Sequence, residues 1–261
     1  LAGDVLLAGP EMPLVRFNAV VSPHRVFETR RFGLDEFERI ASLVRGATVH
    51  DAVLAVCGGA LRRYLAAHDE LPPHSLFALT PSPEAEPAAA RRPWRRVALA
   101  TDIDDPVQRL RRIRAQALGA TAGQSVGDAA QGSTVLARTA KVVARALAGE
   151  RSPLAACSIT HVPGPPGPLY LCGARMSYYS AMLPISDGLG LAFAVTSYDG
   201  RVIISPTSCR ELMPDPEAFA QALRDSFQEL LALAPPAAAV KPLRPVRRSA
   251  PRAPRAAAGR R

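Results

Sequence analysis

The stretch SITHVPGPPGPLYLCGARMSYYSAMLPISDGLGLAFAVTSYDGRVIIS (158–205) decides the fold of this 261-residue chain. Residues suited to strands cluster at 157–162, 174–180, 191–198 and 201–205, with proline-glycine and Asp-Gly turns between them. The last two runs are joined by Asp199-Gly200, a two-residue hairpin signal, because both turn positions need positive φ. The stretch reads as the second half of a sheet whose loops are shaped for a site.

On its C-terminal side, Asp215 and Pro216 start a helix that places Phe219, Leu223, Phe227, Leu230 and Leu231 on one face and stops at Pro235-Pro236. On its N-terminal side, a helix is expected near 134–147. Another is expected from Asp105 and Pro106 to about Leu118, with Val107, Leu110 and Ile113 inward and its arginines outward. Residues 76–80 and 97–101 are short strand candidates, and PSPEAEPAAARRPWRR between them reads as an exposed loop. The clearest helix begins at Thr48: Asp51 completes a capping-box-like pair, and Val49, Val53, Val56, Cys57, Ala60, Leu61 and Tyr64 form a core face. Gly58-Gly59 inside it costs about 1 kcal/mol per residue in helix propensity, so a close neighbour is expected there. RVFETRRF (25–32) alternates like a half-buried strand, and a helix over 34–44 follows. Strands mixed with amphipathic helices predict the α/β class, an α+β sandwich with a mixed sheet and flanking helices, rather than a bundle.

Hydrophobic residues make up 48% of the chain, enough for one large core or two small ones. The net charge of +9 is local: 241–261 carries eight Lys/Arg and no acid, which leaves 24 basic against 23 acidic residues elsewhere. That composition cannot bury apolar area, so 235–261 is expected to be a disordered basic tail, either a solvated appendage or a weak contact for anionic lipid or nucleic acid. A near-neutral body with few aromatics disfavours nucleic-acid binding as the main role. Residues 1–20 read as an N-terminal remnant or linker, and 21–234 as the folded lobe. The four cysteines lack metal-ligand spacing. With no secretory leader and no long apolar run, the expected location is cytoplasmic with reduced thiols, or peripheral at a membrane or lipid body through the tail.

Five segments occur in the order seen in one enzyme family: SPHR (22–25), TVHDAVLAVCGGALRRYL (48–65), ATDIDDPVQRLRRI (100–113), THVPGPPGPLYLCGARM (160–176) and PISDGLGLAFAVTSYDGRV (184–202). Through them the chain resembles the C-terminal lobe of the wax ester synthase / diacylglycerol acyltransferase family. The resemblance implies a chloramphenicol-acetyltransferase-like fold, with two related lobes around a tunnel. Fatty acyl-CoA enters from one side and a long-chain alcohol or diacylglycerol from the other. Acyl-CoA is the substrate, and no cofactor is implied.

In that family a histidine of an HHxxxDG motif in the first lobe acts as general base on the acceptor hydroxyl. None of the five histidines here belongs to such a motif, so no catalytic residue is assigned. The expectation is a lobe inactive alone that pairs with a separately encoded first lobe; the alternative is a non-catalytic partner or a remnant that binds a lipid surface. His50 stands where the family usually has asparagine before Asp51, and His161 where it has asparagine before the Val-Pro-Gly-Pro turn. Candidate site-shaping residues are therefore His50, Asp51, His161, Pro163, Gly164, Asp187 and Gly188. Each has a structural alternative: a helix cap for Asp51, a satisfied polar residue near a turn for His161, a tight turn for Asp187-Gly188. Arg111, Arg112 and Arg114 could attract CoA phosphates or form a solvated face, and the second is preferred because no glycine loop adjoins them.

Overall fold

Strand β8 (Ala192–Tyr198) is the centre of a seven-stranded mixed sheet, and its alternation sorts the rest of the molecule. Phe193 points into a helical layer and meets Phe219 at 5.8 Å, so Thr196 and Tyr198 point the other way. The computed structural model describes residues 12–81, 94–119, 153–165 and 167–236. The helix expected near 134–147 and the basic tail from 237 onward lie outside the described residues.

The sheet order is β1 (Arg25–Phe27), β9 (Arg201–Cys209), β8, β5 (Cys157–Pro163), β3 (Phe77–Pro81) and β4 (Trp94–Ala98), with β2 (Arg30–Gly33) also on β9. Strands β8 and β9 form the expected hairpin, and Asp199 (φ 47°) and Gly200 (φ 74°) both occupy the left-handed region. Strand β5 runs parallel to β8 and to β3, and β4 closes that side antiparallel to β3. At the opposite edge the expected single strand breaks at Glu28-Thr29 into β1 and β2, both antiparallel to β9.

Two strand expectations shift. The 97–101 candidate lies earlier, at β4, so Trp94, Arg95 and Arg96 of the supposed loop are in the sheet, and Ala100 turns away with φ 52°. Within 174–180 only β7 (Ala174–Arg175) pairs, in a small separate hairpin with β6 (Tyr170–Leu171). The chain beyond it crosses the face away from the helices, where Thr196 Oγ1 donates to the Tyr179 carbonyl (2.8 Å) and Tyr198 Oη accepts from Leu169 N (2.8 Å). Tyr178 and Tyr179 diverge as adjacent extended residues must: Tyr178 lies under Arg31, and Tyr179 Oη donates to the Val162 carbonyl.

The helical layer comprises α1 (Leu34–Ser42), α2 (Val49–Ala67), α3 (Pro106–Gly119) and α4 (Pro216–Leu233), with α2 in contact with the other three. The capping box forms as expected: Asp51 N donates to Thr48 Oγ1 (3.2 Å), and Thr48 N donates to Asp51 Oδ2 (2.8 Å). Helix α2 is not simply amphipathic, because every residue from Asp51 to Leu61 is buried. Glycines allow this. A Cβ on Gly58 would lie 2.5 Å from the Leu99 carbonyl oxygen, and one on Gly59 would strike Ser226 and Arg109. Arg109 departs furthest from the outward arginines expected on α3. It is 2% exposed, and its Nη2 donates to the carbonyls of Ile103 (3.1 Å) and Asp104 (3.0 Å).

Residues 12–20, expected as remnant or linker, contribute Met12, Val15 and Phe17 to the core. The basis is specific: Asn18 Nδ2 donates to the carbonyls of Ala155 (2.8 Å) and Gly188 (3.0 Å), and Gly190 N donates to the Phe17 carbonyl (2.8 Å). An asparagine that bridges two loops over such a separation leaves no local pattern in the sequence.

Alanine at position 58 should raise helix propensity by about 1 kcal/mol yet destabilise the protein, by about 1–3 kcal/mol net, because the obstacle is a backbone carbonyl. Urea denaturation of Gly58→Ala measures the balance; an unchanged or raised midpoint would refute the close approach.

Candidate functional site

The sheet has two unlike ends. At the end where β5 and β8 begin, Asp187 and Gly188 form a loop held by the N-terminal segment: Val21 N donates to Asp187 Oδ1 (2.8 Å), and Gly188 N donates to the Ala19 carbonyl (3.2 Å) with φ 76°. Both groups are engaged in holding backbone. At the end where β5 finishes stand His161, Pro163 and Gly164, together with His50 and Asp51 at the start of α2. The structure therefore brings five of the seven candidates to one end and leaves Asp187-Gly188 at the other.

Register explains the first grouping. His161 pairs with Val195, so it shares a face with Ile159 and Phe193 and points toward the helical layer at the start of α2. On β3 and β4 the same face carries Thr80 opposite Arg95. The carboxyl ends of β3 and β5 thus converge with the N-terminus of α2, the kind of crevice in which open α/β sheets bind ligands.

The polar groups gathered there are under-satisfied. Thr80 Oγ1, Arg95 Nε and Arg114 Nε are buried without a hydrogen-bond partner. Arg114 Nη1 lies 3.5 Å from Asp51 Oδ2, so of the three arginines assigned to the solvated face of α3 only Arg111 and Arg112 are exposed. Asp51 is 2% exposed; it caps α2 and pairs with Arg114 at once, so both of its readings rest on one side chain. Burial pushes the His50 imidazole below the ordinary histidine value, and the Arg95 charge pushes the same way, against the opposing pull of Asp51. His161 feels burial alone, also downward, and its Nε2 lies 3.3 Å from Ser197 Oγ.

The turn after β5 is pinned from behind. Gly164 N donates to the Ser197 carbonyl (2.9 Å), and a side chain at 164 would collide with that oxygen and with the Tyr179 ring. Pro163 and Gly164 therefore shape the backbone that presents His161. Sequence reasoning missed Thr80 and Arg95. Thr80 ended a short strand candidate, and Arg95 fell inside a presumed loop; the alternation Trp94-Arg95-Arg96-Val97 was the available signal.

Chemically, the cluster offers two imidazoles held neutral, a buried hydroxyl and two guanidinium groups. Such a set can accept a hydrogen bond from an alcohol and stabilise a developing negative charge. Neither imidazole is oriented by a carboxylate, the arrangement a general base normally has. Cys57 and Cys157 are fully buried, and burial raises both thiols above their ordinary value. Among the described residues no group of three or more His, Cys, Asp or Glu could hold a metal ion, and no helix is long and apolar enough to cross a membrane.

The sequence model of the WS/DGAT C-terminal domain family matches residues 96–231. The chain belongs to that family. An O-acyltransferase, WSD, of Acinetobacter baylyi is 31% identical over 233 residues, which cover 84% of this chain and 49% of that protein. A Mycobacterium tuberculosis protein named as a diacylglycerol O-acyltransferase is 28% identical, covering 88% of this chain and 48% of its own length. The wax ester synthase/diacylglycerol acyltransferase of Marinobacter aquaeolei VT8 superposes with a TM-score of 0.67 at 25% identity, over 87% of this chain and 53% of that one. The mixed sheet with its helical layer is the chloramphenicol-acetyltransferase-like fold of this WS/DGAT family. The chain spans about half the length of the curated relatives it matches.

Both imidazoles bind a proton more readily in the unfolded chain, at about pH 6.5, than in the folded one. Their contribution to stability is therefore fully present above that pH and is lost as pH falls toward the depressed folded values. A His50→Gln/His161→Gln double variant should flatten this acid limb in a plot of urea midpoint against pH; an identical limb would contradict the downward shift of the two imidazoles.

Proposed function

We propose that this chain supplies the C-terminal half of an acyl-CoA-dependent O-acyltransferase, which makes wax esters or triacylglycerol from fatty acyl-CoA and a long-chain alcohol or diacylglycerol. The observation that carries the reading is the polar cluster of His50, Arg95, Arg114, Thr80 and His161 at the carboxyl ends of β3 and β5, in which Thr80 Oγ1, Arg95 Nε and Arg114 Nε are buried without a hydrogen-bond partner. The thioester is already an activated acyl donor, so the reaction needs positioned polar groups and a base rather than a cofactor.

In this reading the base comes from the first half, because no histidine of this chain lies in an HHxxxDG motif and neither His50 nor His161 has a carboxylate to orient it. The surface offered to the first half, whether it is joined to this lobe or separate from it, is the β6-β7 arm and the segment that follows it. On the arm Tyr170 (62% exposed) and Leu171 (80%), and on the segment after it Met182 (67%), present apolar side chains to solvent. The protein acts in the cytoplasm, with 241–261 available for a weak contact with an anionic membrane or lipid body.

Purified chain incubated with palmitoyl-CoA and diacylglycerol should give no ester above background. Addition of a first half carrying an intact HHxxxDG histidine should restore product. Turnover by the chain alone would overturn its dependence on a partner, and the absence of ester in every combination would overturn the acyltransferase reading.

A further inference from the structure

A second polar region lies at the other edge of the sheet, around β2 and the start of β9, away from β3 and β4. There a cleft of about 510 Å3 is lined by four guanidinium groups, those of Arg30, Arg31, Arg201 and Arg224, contributed by β2, β9 and α4. The volume falls within the range of small-molecule sites.

The charges are unbalanced. Glu28 is bound to Arg30 at 3.0 Å, whereas among the described residues Arg31, Arg201 and Arg224 have no carboxylate partner. Arg30 is fixed by that bond and by the Thr29 carbonyl (2.9 Å), yet its buried Nε has no acceptor. The Arg31 guanidinium carbon lies 4.7 Å from the centroid of the Tyr178 ring, a cation–π contact that holds it at the cleft. Ser177 adds a hydroxyl from the segment that crosses the sheet. Arg31 and Arg201 reach the cleft from the face away from the helices and Arg30 and Arg224 from the helical side, around the free edge of β2; like charges gathered in one cleft repel unless an anion sits among them, and guanidinium forks match the geometry of phosphate oxygens.

We propose that this cleft binds a phosphomonoester, its dianion held by the Arg31, Arg201 and Arg224 forks. The group can come from a nucleotide or from a phosphatidate headgroup. The site stands independently of acyl transfer, since none of its residues belongs to the cluster around His50.

Isothermal titration of the full chain with inorganic phosphate tests it. An Arg201→Gln/Arg224→Gln variant, altered at two exposed positions, should bind at least about tenfold more weakly, the scale of two lost charge-assisted hydrogen bonds, with an unchanged urea midpoint. An Arg111→Gln/Arg112→Gln variant removes the same charge from α3 and should bind like the parent, which controls for the loss of net charge; a cleft variant that also binds like the parent would place the phosphate elsewhere and overturn the proposal. Two further titrations identify the source: CoA against dephospho-CoA, and phosphatidylcholine vesicles with and without phosphatidic acid. A preference lost in the cleft variant alone assigns it. No phosphate binding by the intact chain, or equal weakening in both variants, overturns the proposal.

Discussion

The close approach at Gly58-Gly59 is the constraint on which the rest of this lobe depends. Because neither residue carries a Cβ, the Leu99 carbonyl can lie against one and the Ser226 and Arg109 side chains against the other. Helix α2 is thereby surrounded rather than merely laid on the sheet, and α3 and α4 reach it from two sides. Arg109 shows what that requires: a guanidinium turned inward, two carbonyls at the start of α3 to receive it, and an Nη1 left without a partner. A buried arginine so arranged is expensive in desolvation, and it is tolerated because it closes the gap beside Gly59.

A helix locked in this way also fixes where its two ends fall. Its C-terminal end is tied to the N-terminal segment by Arg16, which pairs with Glu70 (2.7 Å) and donates to Tyr64 Oη (3.3 Å), and the Asp187-Gly188 loop joins the same region. Its N-terminal end delivers His50 and Asp51 to the place where β5 stops. Structural hydrogen bonds hold the loop at the first end, whereas at the other Thr80, Arg95 and Arg114 each keep a buried polar atom without a partner, a costly arrangement that singles this end out as the candidate site.

Much of this was legible in the chain itself. Thr48 with Asp51, Asp199-Gly200 and Asp215-Pro216 each encode a local geometry, and each appears where the local chemistry placed it. What could not be read depends on distant partners. The burial of α2 all round was hidden because alanine, valine and glycine fit a one-sided helix equally well. Asp187 looked like part of a site because an Asp-Gly pair reads alike whether its carboxylate faces a ligand or a backbone N–H contributed by Val21. Thr80 and Arg95 became visible only when β3 and β4 paired. A cross-strand neighbour is a property of register, and register is set by the whole sheet.

The topology of β9 has a temporal side. Arg25 in β1 pairs with Cys209, and Arg30 in β2 with Ile204, whereas β8 reaches β9 across a two-residue turn. On the ribosome, the first two strands are therefore made long before the strand that receives them. The local hairpin can close as soon as it emerges, while β1 and β2 wait as open edges through the synthesis of almost the whole lobe. Their arginines, at 25, 30 and 31, are suited to that interval, because charged edges resist pairing with other nascent chains.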